Sequence, residues 1–392
     1  GPALALACAR AGLRSAVIDS LPTQARRAEG FDGRAYALAR ASQRMLAALG
    51  LWDGLADHAQ PMAQIRVSDG RVADGFALLG LDFASAELED GPMGFMLEDR
   101  HLRPALMAAL AAEPLIDVMD GTTVTGQQVH HDHALLQLSG GHSLRARLIV
   151  GADGRKSGTA RRAGIGRTGW DYRQSALVCA IDHEHPHGGA AHQLFLPNGP
   201  LAILPLPGNR SSIVWSEDRA LAERIHALPD DAYLEALRPR FGSFLGRITL
   251  AGKRHIYPLN LTLARSFTAP RVALVGDAAH GMHPIAGQGL NAGLRDVAAL
   301  ADVLAQARAR GEDFASVPVL DRYAQWRRFD TATLAASTDL FNRLFSNNSA
   351  VLRGLRDIGM QLVNATPALR RGAIREAAGL TGDLPELMRG QS

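Results

Sequence analysis

Residues 271–300 have the sequence RVALVGDAAHGMHPIAGQGLNAGLRDVAAL. The apolar run VALV near its start is typical of a buried strand in a parallel sheet. The pair Gly276–Asp277 ends that run, and the glycine-rich stretch that follows is too irregular for a strand or a helix. From Leu290 onward apolar residues return at helical spacing. We therefore predict a buried strand, an irregular turn and a helix that begins near Gln288.

Two features of this stretch suit an anionic ligand that carries sugar-type hydroxyls. The carboxylate of Asp277, at the end of a strand, can accept hydrogen bonds from such hydroxyls. The first turn of the next helix has few side chains, which leaves its N–H groups and the positive end of its dipole open to negative charge. A flavin nucleotide offers both partners, in its ribityl hydroxyls and in the N1–C2=O edge of its ring. An ordinary strand-to-helix crossover with a flexible loop explains the same spacing, so both interpretations stay open.

The segment GDAAHGMHPIAGQGLNAGLRD resembles the second FAD-binding motif of the group A flavoprotein monooxygenases, and most of all that of the ubiquinone-biosynthesis hydroxylases. The resemblance implies that the Gly276–Asp277 turn binds the ribityl chain of FAD. It places Pro284 beside the isoalloxazine ring, where substrate sits. His283 flanks the same loop, where it could orient the loop, move protons or be structural. The residues implied to face the pyrimidine edge of the flavin are Gly289, Leu290 and Asn291, and Gly287 is a further implied cofactor contact in the same loop.

The chain begins with GPALALACARAGLRSAVIDS, which predicts a helix followed by a strand that ends at Asp19. Dinucleotide-binding folds place an acidic residue there, on the ribose hydroxyls of adenosine. Counting back from Asp19, Gly1 falls where the third glycine of G-x-G-x-x-G belongs. The first strand and the first two glycines of such a fingerprint would precede residue 1. We therefore expect this chain to bind FAD less well than a chain that carries them.

Further cofactor contacts are implied by the resemblance. Arg34 is predicted to precede a helix. In the family, the arginine at this place reaches the FAD phosphates. The alternative is that Arg34 faces solvent at the start of the helix. A second helix, predicted over residues 95–110, carries Asp99 and Arg100, one of which matches a polar FAD contact. Val124, in a strand predicted over 117–125, would lie near the adenine.

The segment LIVGADGRKSGTARR, residues 148–162, is a second motif. It predicts a buried strand, a tight glycine turn and a helix that Ser157 can cap. It resembles the family's GADG motif, which lies between FAD and the nicotinamide donor. The resemblance implies that Asp153 contacts the cofactor. The alternative is that Asp153 only braces the turn.

Composition limits the class of protein. A chain of 392 residues is too long for one small core, and 47% hydrophobic with 21% charged residues is usual for a globular protein. No apolar run is long enough for a transmembrane helix. The net charge of +3 is too weak to indicate nucleic acid, although it permits a membrane surface. Cys8 and Cys179 fit neither a disulfide framework nor a zinc site, and we predict no metal site.

The runs ALVCAID, HQLFLP, LAILPLP and SSIVWSE predict an antiparallel sheet between residues 172 and 265. Its inner face is expected to hold an apolar aromatic substrate or to pack against the cofactor domain. The residues predicted for that face are Leu177, Leu194, Phe195, Ile203, Leu204 and Trp215.

The predicted fold is α/β (α+β) and resembles p-hydroxybenzoate hydroxylase. A discontinuous Rossmann-type FAD domain carries an inserted, mostly antiparallel sheet domain and C-terminal helices. The predicted FAD-binding segments are 1–64, 95–170 and 266–330. The predicted substrate-domain segments are 65–94 and 171–265, and the C-terminal helical region is 331–392.

The resemblance implies an FAD-dependent aromatic-ring hydroxylase. NAD(P)H, bound transiently, reduces FAD, and O2 adds at flavin C4a to give the hydroperoxide that hydroxylates a phenolic ring. The implied substrate is a polyprenylated phenol of ubiquinone biosynthesis. The alternatives are a small phenolic substrate, another flavin oxidoreductase activity, or a non-catalytic assembly protein with a flavin fold.

A prenylated substrate is insoluble in water, because the transfer of each methylene from water to an apolar phase is favourable by roughly 0.8 kcal/mol. We therefore expect a cytoplasmic protein that attaches peripherally to the inner membrane or to other ubiquinone-pathway proteins. The C-terminal region alternates Phe341, Leu344, Phe345, Leu352 and Leu355 with arginines. It could supply that surface, or it could be a helical cap on the FAD domain.

Overall fold

The computed structural model describes residues 1–22, 30–69, 80–87, 91–282, 287–345 and 366–389. Its helices are α1 (Pro2–Arg10), α2 (Arg40–Ala48), α3 (Asp99–Ala112), α4 (Gly158–Arg162), α5 (Arg219–His226), α6 (Asp230–Phe241), α7 (Gln288–Ala309), α8 (Val317–Phe345), α9 (Pro367–Ala377) and α10 (Glu386–Arg389). Its strands are β1 (Ser15–Ile18), β2 (Ala35–Ala39), β3 (Ala59–Pro61), β4 (Gln64–Asp69), β5 (Gly80–Ala84), β6 (Gly94–Glu98), β7 (Ile116–Met119), β8 (Val124–Val129), β9 (Ala134–Leu138), β10 (Ser143–Ala146), β11 (Ile149–Gly151), β12 (Arg167–His183), β13 (Ala190–Leu196), β14 (Gly199–Leu206), β15 (Arg210–Asp218), β16 (Ile248–Ala264), β17 (Thr268–Ala269), β18 (Val272–Leu274) and β19 (His280–Gly281).

The parallel strand pairs lie in the part of the chain that carries the predicted cofactor motifs. Strand β1 pairs in parallel with β7, and β11 pairs in parallel with β18. Helices α1, α3 and α7 share one apolar core with β18 and its flanking residues. The predicted helix and strand at the start of the chain, the strand before Gly276 and the helix from Gln288 are all confirmed.

An eight-stranded sheet forms the other layer, in the order β19-β16-β12-β15-β14-β13-β4-β5. All neighbouring pairs are antiparallel except β13 with β4, which is parallel. The predicted sheet between residues 172 and 265 is therefore confirmed. Helices α5 and α6 interrupt it and were not predicted, because their short apolar stripes resemble the alternation of the neighbouring strands.

The predicted inner face of this sheet is wrong. Leu177 and Trp215 pack with Tyr233 and Leu237 of α6, so helices cover the face on which they lie. Leu194 and Ile203 lie on that face too. Side chains alternate along a strand, so the remaining predicted residues, Leu204 and Phe195, point to the opposite face.

That opposite face, called the front face below, meets the three-stranded sheet β2-β6-β3. Met96 of β6 and Met62, which follows β3, pack with Ala180, Ala191 and Leu206 of the large sheet. Leu204 is half-buried beside them. The contact between the two layers is thus made by small residues and flexible methionines, which adapt to irregular gaps.

Three secondary-structure predictions need correction. Arg34 precedes strand β2 rather than a helix, residues 95–98 belong to strand β6, and the strand predicted over 117–125 is two strands separated by a turn. The first two errors share one cause. Strands β2 and β6 pair with each other, from Ala35 opposite Glu98 to Ala39 opposite Gly94, and this long-range pairing overrides the helix propensity of alanine and leucine.

The C-terminal residues that the structure describes form a helical cap. Ile374, Ala378, Leu380 and Met388 are buried in the core shared with α1 and α7. Leu352 and Leu355 lie outside the described residues. Within the described part of the chain, no helix is both long and apolar enough to cross a membrane.

Replacement of Leu237 by alanine should destabilise the sheet domain. Leu237 is fully buried between α6 and the sheet, so the cavity left by truncation should lower the free energy of unfolding by about 2–5 kcal/mol. Denaturant unfolding followed by tryptophan fluorescence measures the loss. Leu369→Ala, at a half-exposed position on α9, is the matched control. Equal losses in the two variants would contradict the assigned packing.

Candidate cofactor and active site

Several of the predicted cofactor segments meet at one cavity of about 240 Å³. It is lined by Gly1 at the N-terminus of α1, Gly154 of the GADG turn, the Gly276–Asp277 turn and Leu290 of α7. Segments that lie more than a hundred residues apart in the chain thus meet at one place. Two helix N-termini, of α1 and α7, border the cavity, and both favour negative charge.

Helix α7 begins in a way that leaves its first N–H groups available. Its N-cap residue is Gly287, in the left-handed conformation with φ +65°, and a glycine has no side chain that could cap the helix. No acidic residue lies in the first turn. A Cβ added at Gly289 would meet no atom of the described residues within 4 Å, so among these residues the turn leaves room for a ligand. The backbone of this turn can therefore accept a flat, partly anionic ring edge.

The Gly276 turn packs closely against α7. Gly276 has φ +58°, and a Cβ added at Gly293 would lie only 3.2 Å from the Gly276 Cα. Two glycines therefore allow the turn and the helix to approach each other. This approach sets the distance between Asp277 and the start of α7.

Asp277 presents a carboxylate at the cavity. Its Oδ2 accepts a hydrogen bond from Nε of Arg155 (3.1 Å), and its side chain is 42% exposed. Arg155 also donates from Nη2 to the carbonyl of Met282 (3.2 Å). Arg167 donates to the carbonyls of Arg155 (2.6 Å) and Asp277 (2.9 Å). Among the described residues the other oxygen of Asp277 has no hydrogen-bond partner, so it is available to a ligand hydroxyl.

Sequence reasoning missed Arg155 and Arg167. Arg155 lies at a variable position of the GADG motif, and Arg167 begins β12, where nothing in the sequence indicates a contact. Burial lowers the pKa of Arg167, while Asp153 and Asp277 oppose this effect. Both side chains act on the loop that carries Asp277.

Asp153 braces its own turn. Its oxygens accept hydrogen bonds from the Ser157 hydroxyl (2.5 Å) and from the backbone N–H and hydroxyl of Thr159 (both 2.9 Å). Burial would raise the pKa of Asp153, but these hydrogen bonds lower it below its ordinary value. The predicted cap of α4 by Ser157 is confirmed. A contact between Asp153 and the cofactor stays a prediction.

A buried ionic network holds the Gly276 turn from below. Asp296 of α7 is fully buried; its Oδ2 accepts from the backbone N–H of Gly276 (2.9 Å) and from Nε2 of His280 (2.6 Å). Its Oδ1 accepts from Nε of Arg327 (2.7 Å), which also binds Asp330. Burial would raise the pKa of Asp296, but His280 and Arg327 lower it below its ordinary value. His280 is thus a structural partner of the loop.

Asn291 joins α7 to the strand and helix that follow Arg34. Its Oδ1 accepts from the backbone N–H of Ala39 (2.9 Å) and the hydroxyl of Ser42 (2.7 Å), and its Nδ2 donates to the carbonyls of Ala37 (2.9 Å) and Gly287 (3.0 Å). The amide oxygen and nitrogen of the Asn291 side chain therefore make their hydrogen bonds to other groups of the protein. Its backbone is the part that can face a cofactor.

Arg34 and Asp99 are brought together. The Arg34 guanidinium lies 2.6 Å from Asp32 and 3.3 Å from Asp99, and Asp99 also binds Arg103 (2.8 Å). The hydrogen bond that Arg34 donates to the Asp32 carboxylate is the main cause that raises the pKa of Arg34. Arg100 points elsewhere and pairs with buried Glu98 (2.5 Å).

Asp19 and Val124 form a separate group that does not line the cavity. The Asp19 carbonyl accepts from Thr122 N–H (2.9 Å), just before β8, and its carboxylate accepts from Leu21 N–H (2.9 Å). Val124 and Ile18, at the end of β1, pack against the same apolar cluster. These contacts place the two predicted adenosine contacts near each other. His283 and Pro284 lie outside the described residues.

A sheet-backed cavity with two helix N-termini, a carboxylate and flanking arginines is the arrangement of a flavin-nucleotide-dependent oxidoreductase. Comparisons with known proteins agree. Residues 1–336 match the family described as FAD binding domain. The chain is 44% identical to ubiquinone hydroxylase UbiL of Rhodospirillum rubrum, over 100% of this chain and 90% of that protein. It is 37% identical to 3-demethoxyubiquinol 3-hydroxylase of Escherichia coli, over 97% and 96%.

The fold is shared with p-nitrophenol 4-monooxygenase PnpA of Pseudomonas putida. The TM-score is 0.78 over 97% of this chain and 95% of PnpA, at 21% identity. The chain therefore belongs to the family of FAD-dependent monooxygenases that includes the ubiquinone hydroxylases. The predicted fold class, enzyme class, FAD cofactor and NAD(P)H cosubstrate are confirmed.

Asp296→Asn should destabilise the protein and loosen the cofactor loop. The amide cannot balance the charge of buried Arg327, so the free energy of unfolding should fall by about 3–5 kcal/mol. Thermal unfolding without FAD, followed by an FAD titration of the folded variant, measures both effects. Asp330→Asn, which alters the more exposed end of the network, is the control, and its free energy of unfolding should fall much less. A stable variant with unchanged FAD affinity would show that the network does not hold the loop.

Asp277→Ala should weaken FAD binding by about 1–3 kcal/mol, the usual cost of removing a charged hydrogen-bond partner. Fluorescence titration of apoprotein with FAD gives the dissociation constant. Asp321→Ala, on the exposed side of α8, controls for loss of charge. Unchanged affinity would remove Asp277 from the binding site.

Proposed function

We propose that the protein hydroxylates the aromatic ring of a polyprenylated phenol in ubiquinone biosynthesis. The observation that carries the proposal is the 44% identity to a ubiquinone hydroxylase over the full length of this chain, together with the Asp277 cavity. The polyprenyl chain is the most specific part of this proposal. It is supported by the names of two relatives, which refer to ubiquinone and demethoxyubiquinol.

The residues at the cavity fit FAD. Asp277 would accept hydrogen bonds from ribityl hydroxyls, the first turn of α7 would face the pyrimidine edge of the ring, and the N-terminus of α1 would favour the pyrophosphate. Arg34 and Asp19 are proposed for the phosphates and the adenosine ribose, and Val124 for the adenine. When bound, FAD takes a hydride from NAD(P)H and activates O2 for transfer of one oxygen atom to the substrate ring.

The protein's part in this chemistry is position and electrostatics. The positive end of α7 stabilises negative charge that develops on the ring edge of the cofactor. Asp296 fixes the turn that carries Asp277, and Arg155 ties that turn to the carbonyl before residue 283. No protein nucleophile is required, because the transferred oxygen atom comes from O2, which bound FAD would activate, and the second oxygen atom leaves as water.

Product analysis separates this function from its alternatives. FAD-loaded protein should consume NAD(P)H and O2 in the presence of a prenylated phenol and yield one product heavier by one oxygen atom. Faster turnover of the matched unprenylated phenol would favour a small-phenol hydroxylase. Bound FAD with NAD(P)H oxidation but no hydroxylated phenol would favour another oxidoreductase activity, and FAD binding without NAD(P)H oxidation would favour an assembly protein.

We also propose that the protein meets its substrate at an anionic membrane surface or on a pathway partner. Phe329 of α8 is 77% exposed, which is unusual for an aromatic residue, and Arg328 lies next to it. An exposed aromatic beside a cation suits the interface of an anionic bilayer. Other aromatic and basic residues follow along the C-terminal region.

Flotation on anionic liposomes tests the membrane proposal. Binding should be weak and should fall as salt is raised, because the electrostatic part is screened. Phe329→Ser should reduce flotation, whereas Val129→Ser, which removes a half-exposed apolar residue elsewhere, should not. A protein that does not float with the liposomes at low salt would exclude attachment to lipid. Binding to a pathway partner would then be the remaining alternative.

A further inference from the structure

Residues 31–34, called the strap below, connect the cofactor site to the large sheet. The strap precedes β2, and its last residue is Arg34, which is proposed above for the FAD phosphates. The carbonyl of Asp32 accepts hydrogen bonds from Nε2 of His255 (2.9 Å) and from the backbone N–H of Lys253 (3.3 Å). His255 lies 223 residues from Asp32 in the sequence, on β16. One peptide group of the strap is therefore fixed by a strand of the large sheet.

A β-bulge brings the backbone of β16 to the strap. The pairing of β12 with β16 shifts register between Val178 and Ala180, so three residues of β16, 252–254, lie opposite one residue of β12. A Cβ added at Gly252 would lie 2.9 Å from the backbone nitrogen of Gly33, and one added at Gly33 would lie 2.7 Å from the Lys253 carbonyl oxygen. The strap and the bulge therefore touch backbone to backbone, at a distance that only glycine allows.

Phe31 anchors the strap on the other side of Asp32. Its ring packs against the front-face cluster that contains Met62 and Met96. The guanidinium groups of Arg100 and Arg210 lie 5.2 Å and 5.0 Å from the centre of the ring. Arg100 belongs to α3 and Arg210 begins β15, so the ring is held by both layers of the molecule.

The docked strap fixes the side chain of Arg34. The Asp32 carboxylate accepts hydrogen bonds from the backbone N–H of Arg34 (3.1 Å) and from its Nε (2.8 Å), and it lies 2.6 Å from Nη2. Nη2 also lies 3.3 Å from Asp99, whose charge Arg103 shares (2.8 Å). Within the described part of the chain, Nη1 of Arg34 makes no hydrogen bond, and the side chain is 36% exposed. Two N–H groups of a permanent cation are therefore available to an anion.

We propose that His255 is a positioning residue for the cofactor: it holds the Asp32 peptide group, and Asp32 in turn directs Nη1 of Arg34 toward the FAD phosphates. The inference rests on the proposed role of Arg34. Because the strap is docked before FAD binds, less side-chain freedom is lost on binding, and the affinity for FAD rises. A carbonyl only accepts hydrogen bonds, so the residue at position 255 must supply an N–H group where Nε2 lies.

A double-mutant cycle measured by fluorescence titration of apoprotein with FAD tests this role. Arg34→Ala should weaken FAD binding at least about tenfold, and His255→Leu about fivefold. The double variant should bind FAD no more weakly than Arg34→Ala, because His255 acts through Arg34. His255→Gln places an amide N–H near the position of Nε2 and should keep the wild-type affinity. His185→Leu, at an exposed position between β12 and β13, is the matched control.

Riboflavin, which lacks the phosphates, is the second probe, and its affinity should be the same in wild type and in every variant. Thermal unfolding without ligand checks that each variant is folded. If His255→Leu does not fold, His255→Asn takes its place, because its shorter amide does not reach the position of Nε2.

The proposal would be overturned by additive losses in the double variant, by equal losses in the glutamine and leucine variants, or by a parallel loss of riboflavin affinity. Unchanged FAD affinity in His255→Leu, or an equal effect of His185→Leu, would overturn it too. Unchanged affinity in Arg34→Ala would remove Arg34 from the phosphate site and the proposal with it. The expected pattern in a protein that forms no hydroxylated phenol would support the role of His255 and refute the hydroxylase function.

Discussion

The hydrogen bond from the Gly276 N–H to buried Asp296 is the constraint on which the cofactor site depends. It joins the turn after β18 to α7, and the same carboxylate is balanced by His280 and Arg327. A buried charge is costly unless it is fully paired. The network is therefore satisfied only in the arrangement that places Asp277 beside the start of α7. Tyr323 adds a hydrogen bond to the Leu274 carbonyl (2.7 Å), so α8 supports the same strand end.

The cofactor site also depends on close packing at the glycines of the motif. The turn and α7 lie close together because Gly293 lacks a side chain and Gly276 adopts a positive φ, and α7 starts beside β2 because Gly287 also tolerates a positive φ. A Cβ at Gly287 would lie 2.8 Å from that of Ala37. Asn291 then fixes α7 to β2 through both ends of its amide. The glycines of the motif thus have two tasks, close packing and exposure of backbone to a ligand.

The local signals that predicted the core of the fold were strong because each is short-range. The apolar run before Gly276, the helical spacing after Leu290 and the cap at Ser157 depend on neighbouring residues alone. Strand β2 could not be predicted in this way, since Ala35–Ala39 is a strand only through its pairing with β6. The same holds for Arg155 and Arg167, whose contacts with the Asp277 loop cross more than a hundred residues. The predicted face of the sheet failed for a related reason: alternation shows that two faces exist, but not which one the later helices α5 and α6 will cover.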